Sequence, residues 1–303
     1  MTARNFLDLV RAFLTPSAPA DSLAGFAFVA IPLGRGFDYV SLAATGFASV
    51  AIYWYGMASN DFFDRKKDES VGAGRPIAKG RISPTTVLWI SILLALVGIA
   101  LAAVSGSALV GTGIVVCATL YNAGLKRVPI LGNLVMGSCR AGNFLLGAHA
   151  AMGPAAFEKD AVLLSAGLLG LFVAGITAVS VLEDKPYRAW TFHLLATPML
   201  AIPMALALLS PYPEGSWVNG IVLLALLIRT QRFAASERIP VHPAAVFVRG
   251  SLGGIFFVDA GLVWSVAPAT DVAVMSSVGA IYALALLGWW WKKRWLQSGG
   301  ADT

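Results

Sequence analysis

The chain is a series of long apolar stretches separated by short polar segments. These stretches fall at residues 20–34, 39–59, 84–104, 107–121, 131–152, 161–180, 191–209, 216–230, 244–266 and 271–291. A helix that crosses a bilayer needs about 20 predominantly apolar residues, and only structures that satisfy their backbone polar groups internally are stable in lipid. The pattern therefore predicts an all-α fold, a polytopic membrane bundle of nine or ten transmembrane helices.

The composition excludes the main alternatives to a membrane bundle. Hydrophobic residues make up 57% of the 303 residues and charged residues only 13%, whereas soluble domains have about 25% charged residues. The mean hydropathy of +0.74 agrees with this interpretation. Because the polar segments are too short to hold a separate soluble domain, we expect residues 1–303 to form a single transmembrane domain.

The positive charges are distributed unevenly about the predicted spans. If the amino terminus is placed in the cytosol, only Arg35 and Lys159 of the 22 Lys and Arg residues fall in outer loops, while Arg140 and Arg249 fall within spans. All other basic residues then lie in inner segments, as the positive-inside rule requires. We expect an integral, multi-pass membrane protein with both termini and the acidic loops in the cytosol, located in the cytoplasmic membrane if the source is bacterial. These charges form no solvated basic face, so no nucleic-acid partner is expected.

An acidic segment follows the second span directly and reads Asn60-Asp61-Phe62-Phe63-Asp64-Arg65-Lys66-Lys67-Asp68. If the helix continues, Asp61, Asp64 and Asp68 share one face, because residues three and four apart are neighbours on a helix. Carboxylates crowded near a bilayer repel each other and are costly to bury. Mg²⁺ would relieve both problems, since it takes oxygen ligands and bridges carboxylates to substrate phosphates. The segment predicts a Mg²⁺ site for a diphosphate, with Asn60 as a polar co-ligand.

Basic residues suited to a diphosphate follow in the next two inner loops. Arg75 and Lys79 lie in the first loop, and Lys126 and Arg127 lie in the second, just after Tyr121. Arg and Lys side chains neutralise the charge of a leaving phosphate group. A solvated loop would also explain the basic residues, but it gives no reason for acids at helical spacing directly after a span.

Taken together, these segments resemble the UbiA-type intramembrane prenyltransferases. The first signature of that family, Asn-Asp-x-x-Asp-x-x-x-Asp, is matched in full at residues 60–68, and the Arg-Pro and Lys-Gly-x-Ile-Ser at 75–83 resemble its following loop. Tyr121, Lys126-Arg127 and Gly132-Asn133 resemble its next conserved stretch. The resemblance implies a cytosol-facing cleft in which the acids hold Mg²⁺ on an isoprenyl diphosphate. Ionisation of that donor gives an allylic cation, which an acceptor, here unidentified, captures.

The second acidic motif of that family, Asp-x-x-Asp-x-x-x-Asp, is altered in this chain. Residues 180–188 carry Ser and Tyr at the first and third Asp positions. Glu183 and the adjacent Asp184 remain candidate ligands for a second metal ion, and Lys185 and Arg188 remain candidate phosphate contacts. An ordinary cytosolic turn of mixed charge is the alternative. The altered motif resembles that of the EboC-like branch of the superfamily.

Two polar residues, Arg140 and Asn143, lie about one turn apart in the fifth span. An intramembrane arginine costs at least about 2.5–3.5 kcal/mol on insertion scales, so it faces a polar cavity and has a partner. We predict that both residues line the cleft and bind the acceptor or the diphosphate. The alternative is a structural role for Arg140, as the partner of a buried carbonyl group or of Asp259.

Two other functions remain open on the sequence alone. One is a phosphoribosyl-type transferase that acts on a polyprenyl phosphate, which would consume a ribosyl diphosphate rather than an isoprenyl diphosphate. The other is a non-catalytic protein that binds or transports a lipid or prenyl ligand, which would bind saturably without releasing diphosphate. The altered second motif favours this last function, and the intact first motif argues against it.

Overall fold

A computed structural model of the chain describes residues 1–34, 36–184, 187–212, 221, 225, 228, 238–239 and 241–297. The helices are α1 (Ala3–Leu9), α2 (Ser17–Ala30), α3 (Tyr39–Ser70), α4 (Pro84–Val104), α5 (Ala108–Ala123), α6 (Leu131–Met152), α7 (Asp160–Ser180), α8 (Ala189–Leu209), α9 (Val241–Trp264) and α10 (Val272–Gln297). Short 3₁₀ turns cover Ala12–Leu14, Leu125–Arg127, Gly153–Glu158 and Val181–Asp184. Strands β1 (Tyr187–Arg188) and β2 (Arg238–Ile239) pair antiparallel, with Tyr187 opposite Ile239. The prediction of a helical fold is confirmed, apart from this two-residue ladder.

Five helical stretches are long and apolar enough to cross a membrane. They are Tyr39–Ser70, Pro84–Val104, Asp160–Glu183, Ala244–Trp264 and Val272–Trp295, and a shorter apolar helix covers Ala108–Ala123. Helices also lie at the other predicted spans within the described residues, while most of the eighth span, 216–230, lies outside them. The total of nine or ten crossing helices therefore stays a prediction.

Helix α3 extends well past the apolar stretch that predicts it. The Asp38 carboxylate caps its first turn by accepting hydrogen bonds from the backbone N–H groups of Val40 and Ser41, and the helix then continues without a break to Ser70. At 1.5 Å per residue its 32 residues span about 48 Å, against about 30 Å for the hydrocarbon core of a bilayer. The last turns of α3, which carry the acidic segment, can therefore project beyond the hydrocarbon.

The pairing of α2 with α6 depends on two glycines. A Cβ atom on Gly147 would lie 1.8 Å from the Ser22 carbonyl oxygen, and one on Gly25 would lie 1.9 Å from the Phe144 carbonyl oxygen. Only glycine permits helix backbones to approach this closely, a device common in membrane bundles. The close approach brings polar residues of α2 against polar residues of α6. The largest apolar cluster extends from this pair to α7, α8, α9 and α10.

Candidate active site

The acidic residues of α3 do share one face. Asp61 is buried, with a relative exposure of 1%, and Asp64 and Asp68 are half-buried, whereas Phe63 and Lys67 are exposed. We call Asp61, Asp64 and Asp68 the acidic face. Because the helix continues to Ser70, residues at spacings of three and four turn inward together, as the sequence pattern predicts. The hydrophobic Phe63 and the basic Lys67 turn outward instead.

Two basic residues from distant parts of the chain neutralise the acidic face. The Arg11 guanidinium lies 3.2 Å from the Asp61 carboxylate (Nη2 to Oδ1) and also contacts the Met57 sulfur. The Lys126 ammonium lies 2.5 Å from Asp64 Oδ2 and donates a second hydrogen bond to Asn60 Oδ1 at 2.9 Å. Asp61 and Asp64 therefore each have a cationic partner that a diphosphate could attract in their place.

A third cation, Arg75, lies close enough to all three acids to interact with them electrostatically. Burial lowers the pKa of its guanidinium and repulsion from Arg11 lowers it further, while the acidic face opposes both effects. Burial also lowers the pKa of Lys126, and its hydrogen bond to Asp64 opposes that shift. A buried cation that has lost hydration gains more from an anionic ligand than an exposed one does.

The loop that carries Arg75 is anchored at both ends. Arg81 forms an ion pair with Asp8 at 2.9 Å and donates a hydrogen bond to the Gly74 carbonyl oxygen at 3.0 Å. Ile77 is buried in a small apolar cluster with Leu9 of α1 and with residues of α3 and α4. These contacts hold the loop against the end of α3, so that Arg75 faces the acids.

A cavity of about 270 Å³ opens beside these residues and extends along α3. One end, here called the cavity mouth, is lined by Arg11, Asn60, Arg75, Tyr121 and Asn122. The other end, the cavity floor, is lined by Ser49, Tyr53, Arg140 and Asn143. Apolar residues line the wall between them: Ile52, Ile114, Ala118 and Met136. Tyr53 precedes Asn60 by seven residues on one helix, so about 10 Å separates their levels.

The cavity floor is organised by a buried acid of α2, Asp21. Arg140 donates to Asp21 Oδ2 and to the Ser17 hydroxyl, both at 2.8 Å. Asn143 donates to the Ala18 carbonyl oxygen at 2.6 Å and to Asp21 Oδ2 at 3.2 Å. Ser49 in turn donates to Asn143 Oδ1 at 2.6 Å. The network ties α2, α3 and α6 together at the level of the floor.

The profile of the UbiA prenyltransferase family matches residues 22–299 of the chain. The chain belongs to that family. A digeranylgeranylglyceryl phosphate synthase from Methanothrix thermoacetophila is 34% identical over 198 residues, which are 60% of this chain and 72% of the relative. A synthase of the same name from Methanopyrus kandleri is 28% identical over 223 residues, which are 60% of this chain and 82% of the relative.

Solved structures of UbiA homologues share the fold of this family member. The apo homologue from Aeropyrum pernix superposes with a TM-score of 0.63 at 16% identity, covering 83% of this chain and 97% of that one. A homologue from Archaeoglobus fulgidus, bound to DMAPP and Mg²⁺, superposes with a TM-score of 0.58 at 14% identity, covering 84% of this chain and 99% of that one. The protein is thus an integral membrane enzyme of the UbiA family that transfers a prenyl group from an isoprenyl diphosphate.

The remaining residues predicted from the sequence lie farther from the cavity of this UbiA protein. Lys79, Arg127 and Arg188 are exposed, and they do not line the cavity as far as the structure describes it. Glu183 is half-buried in the Val181–Asp184 turn and also lies outside the cavity lining. The side chain of Asp184 and the whole of Lys185 lie outside the described part of the chain.

Two charged residues of the site were missed by reasoning from the sequence. Arg11 lies in a short amphipathic segment that reads as an interfacial helix, and its partner Asp61 is 50 positions away. No local signal identifies that pair. Asp21 did carry a signal, because an acid within an apolar span has a functional or paired role by default.

Proposed function

We propose that the protein transfers an isoprenyl group from an isoprenyl diphosphate to an acceptor held within the membrane, in a Mg²⁺-dependent reaction that releases diphosphate. One observation supports this proposal most strongly. Asn60 lines the mouth of a cavity that runs on toward Arg140. The acidic face lies beside it on the same continuous helix, outside the cavity lining but bonded through Asp61 to Arg11 of the mouth. A diphosphate at the mouth would place its prenyl group in the cavity.

The residues at the mouth suit Mg²⁺ shared with a substrate. Within the described residues, no three His, Cys, Asp or Glu side chains are close enough to hold an ion by themselves. Mg²⁺ is usually bound by one or two carboxylates together with substrate phosphates, and the buried Oδ2 atom of Asp61 has no hydrogen-bond partner. Asn60, Asp61, Asp64 and Asp68 would hold the ion, which would supply positive charge to the departing diphosphate.

The cations at the mouth can transfer from the acids to the diphosphate. If Asp61 and Asp64 hold the ion, Arg11 and Lys126, which now bond to them, would be free to bind phosphate oxygens. Arg75 already faces the acidic face, where the diphosphate would bind. Such charge-assisted hydrogen bonds act most strongly on the charge that develops as the leaving group departs.

The reaction balances without a further reactant. The bond between the allylic carbon and the diphosphate oxygen breaks, and its electron pair leaves with the diphosphate. A lone or π pair of the acceptor forms the new bond to that carbon, and the proton of the acceptor is released. The apolar wall formed by Ile52, Ile114, Ala118 and Met136 suits the start of the isoprenyl tail and excludes water from the cation.

The orientation and the second acidic segment are part of the same proposal. The distribution of Lys and Arg supports an orientation with the mouth, the acidic loops and the termini at the cytosol, and with nine or ten helices crossing the bilayer. Glu183 and Asp184 would contribute a weaker second metal site, with Lys185 and Arg188 as phosphate contacts. Lys79 and Arg127 would attract the donor from solution rather than contact it.

The relatives indicate which substrates to try first. They are named for a product that carries geranylgeranyl groups on glyceryl phosphate, so a glycerol hydroxyl is the first acceptor chemistry to test. We therefore choose geranylgeranyl diphosphate as the first donor, with dimethylallyl and geranyl diphosphate as shorter ones.

A diphosphate-release assay on the purified full chain tests the proposal. With Mg²⁺ and a glycerol-lipid acceptor present, we expect release from an isoprenyl diphosphate and none after chelation. We expect Asp64→Asn to lower the rate at least about a hundredfold while the protein stays folded in the membrane. Asp160→Asn, an exposed acid outside the cavity lining, is the matched control. Full activity in Asp64→Asn would refute the mechanism. Consumption of phosphoribosyl diphosphate instead would support the sugar-transfer alternative, and saturable binding without release would support a non-catalytic role.

A further inference from the structure

A second acid, Asp259 of α9, lies behind the network at the cavity floor. Asp259 and Asp21 are both fully buried, with 0% relative exposure, and their carboxyl groups are near enough to interact electrostatically. Neither oxygen of Asp259 receives a hydrogen bond from a donor within the described residues. Since carboxylate oxygens only accept hydrogen bonds, the two groups can bond to each other only if they share a proton.

The charge at the floor is therefore already balanced. Two adjacent buried carboxylates do not both ionise beside a single cation, because repulsion and desolvation both oppose it. One shared proton leaves a single negative charge on the pair Asp21 and Asp259. That charge cancels the positive charge of Arg140, which is bonded to Asp21 at 2.8 Å.

The floor nevertheless keeps hydrogen-bonding capacity for a ligand. A guanidinium carries five N–H donors, and Arg140 uses only those that point to Asp21 and Ser17 among the described residues. The Tyr53 hydroxyl is buried without a described partner. Ser49 donates to Asn143 and so retains lone pairs that can accept a hydrogen bond.

A prenyl tail does not fit this end of the cavity. Hydrocarbon gains nothing from unpaired N–H and O–H groups, and covering them would leave them unsatisfied at a cost of about 1–3 kcal/mol each. A hydroxyl group both donates and accepts, so it can bond to Arg140 and to Ser49 or Tyr53 together. An anionic group would meet the pair Asp21 and Asp259 with no net positive charge to attract it.

We propose that the cavity floor is the acceptor subsite, and that it selects a neutral hydroxyl-bearing group over an anionic one because Asp21 and Asp259 cancel the charge of Arg140. This inference rests on the proposed prenyl transfer and adds the chemical class of the acceptor. The acceptor would lie below the donor, with one polar group bound at the floor and its reacting hydroxyl directed toward the allylic carbon.

Two acceptors that differ only in charge test the proposal: geranylgeranylglycerol and its phosphate, each offered with geranylgeranyl diphosphate and Mg²⁺. For the wild type we expect kcat/KM to be higher for the neutral alcohol. The single variants Asp21→Asn and Asp259→Asn each leave one carboxylate to balance the charge of Arg140. Both should therefore keep the preference for the neutral alcohol. The double variant Asp21→Asn/Asp259→Asn keeps the shape and leaves Arg140 unbalanced. It should shift the ratio of kcat/KM toward the phosphate on the order of tenfold.

A charge-neutral variant protects the test against misfolding. Arg140→Gln/Asp21→Asn removes both members of the ion pair at once. Asp259 then has no cation beside it and stays protonated because it is buried, so no buried charge is left without a partner. It should raise KM for geranylgeranylglycerol on the order of tenfold and leave KM for the donor unchanged, a split that a general loss of structure would not produce. Asp160→Asn is again the control.

Three results would overturn the acceptor assignment. They are a wild type that prefers the phosphate, a wild type that prenylates neither compound while still releasing diphosphate, and a double variant whose ratio does not move. If no isoprenyl diphosphate is bound in the presence of Mg²⁺, the proposed function itself fails. That outcome is distinct, because donor binding is measured before any acceptor is added.

Discussion

The two acidic segments of the chain adopt different backbone structures, although each follows a predicted membrane span. After the second span the helix continues for three turns, so that Asp61, Asp64 and Asp68 share its inward face. After the sixth span, helix α7 ends at Ser180, and Val181–Asp184 forms a 3₁₀ turn. Spacing by three and four residues places acids together only where the α-helix persists.

The second segment uses its altered positions for packing instead. Ser180 donates a hydrogen bond back to the Thr177 carbonyl oxygen at 2.7 Å, and the buried Tyr187 stacks on Phe192 and pairs with Ile239. Residues that bind a metal must leave their oxygens accessible, and these residues do not. The comparison indicates that the first segment holds the main metal site and that the second contributes mainly packing contacts.

The largest expected effect compares one acid from each segment. Asp61→Asn removes a charge from the acidic face and should lower kcat at least about a hundredfold, in the range typical for lost transition-state charge stabilisation. Glu183→Gln should change kcat by less than about threefold, because Glu183 lies outside the cavity lining and belongs to the weaker second site. Diphosphate release at saturating donor measures both. An equal loss in the two variants would show that the segments contribute alike.

A break in the continued helix should have the next largest effect. Phe63 lies on the outward side of α3 and is exposed, so Phe63→Pro disrupts the helix without touching the acids. Proline within a helix costs about 3 kcal/mol or more, and we expect at least about a tenfold loss of diphosphate release. Phe63→Ala, the control, should keep most of the activity. If the proline variant retains full activity, continuity of α3 is not what aligns the acids.

Basic residues at the cavity mouth and exposed basic residues should differ in their effect on KM for the donor. Arg11 is at the cavity mouth and bonded to Asp61, so Arg11→Gln should raise KM for the donor about tenfold, equivalent to about 1.4 kcal/mol. Lys79 is exposed, and Lys79→Gln should raise KM less than about twofold. Steady-state kinetics at fixed Mg²⁺ measures both. A larger effect for Lys79 would mean that the loop closes over the donor.

The smallest expected effect is a pH dependence of donor binding. Burial lowers the pKa of Lys126, so this side chain loses its proton at a lower pH than an ordinary lysine does. Donor affinity is then highest below the lowered pKa, where Lys126 is charged. As the pH rises through that pKa, KM for the donor should increase by roughly threefold. Lys126→Arg should move that decline to higher pH. A KM profile that is identical in both proteins would exclude Lys126 as a donor contact.

The sequence predicts the helices better than it predicts the partners of their polar residues. Ser83 caps α4 ahead of Pro84, and the predicted spans 84–104 and 131–152 coincide with α4 and α6. Apolar runs and caps are local properties, so one segment is enough to place them. The first span is displaced, since α2 covers Ser17–Ala30 rather than 20–34.

The sequence does not predict which polar residues of different helices bond to each other. Arg140 needs a partner by any physical argument, yet the sequence offers a buried carbonyl group or Asp259 with equal force. The structure selects Asp21, 119 positions away, because Gly25 and Gly147 bring α2 and α6 into contact. Arg11 and Asp61 meet for a similar reason, through the turn at Arg11, whose φ of 48° is rare for a residue other than glycine.

Helix α3 carries residues of both ends of the cavity, with Ser49 and Tyr53 at the floor and Asn60 at the mouth, next to the acidic face. Because both ends lie on a single unbroken helix, the distance between the floor and the mouth depends on the number of residues between them and not on how neighbouring helices shift. This fixed distance would limit the size of the substrates that fit between the two ends. Adding or deleting one residue between Tyr53 and Asn60 would turn one end about 100° relative to the other and so uncouple them.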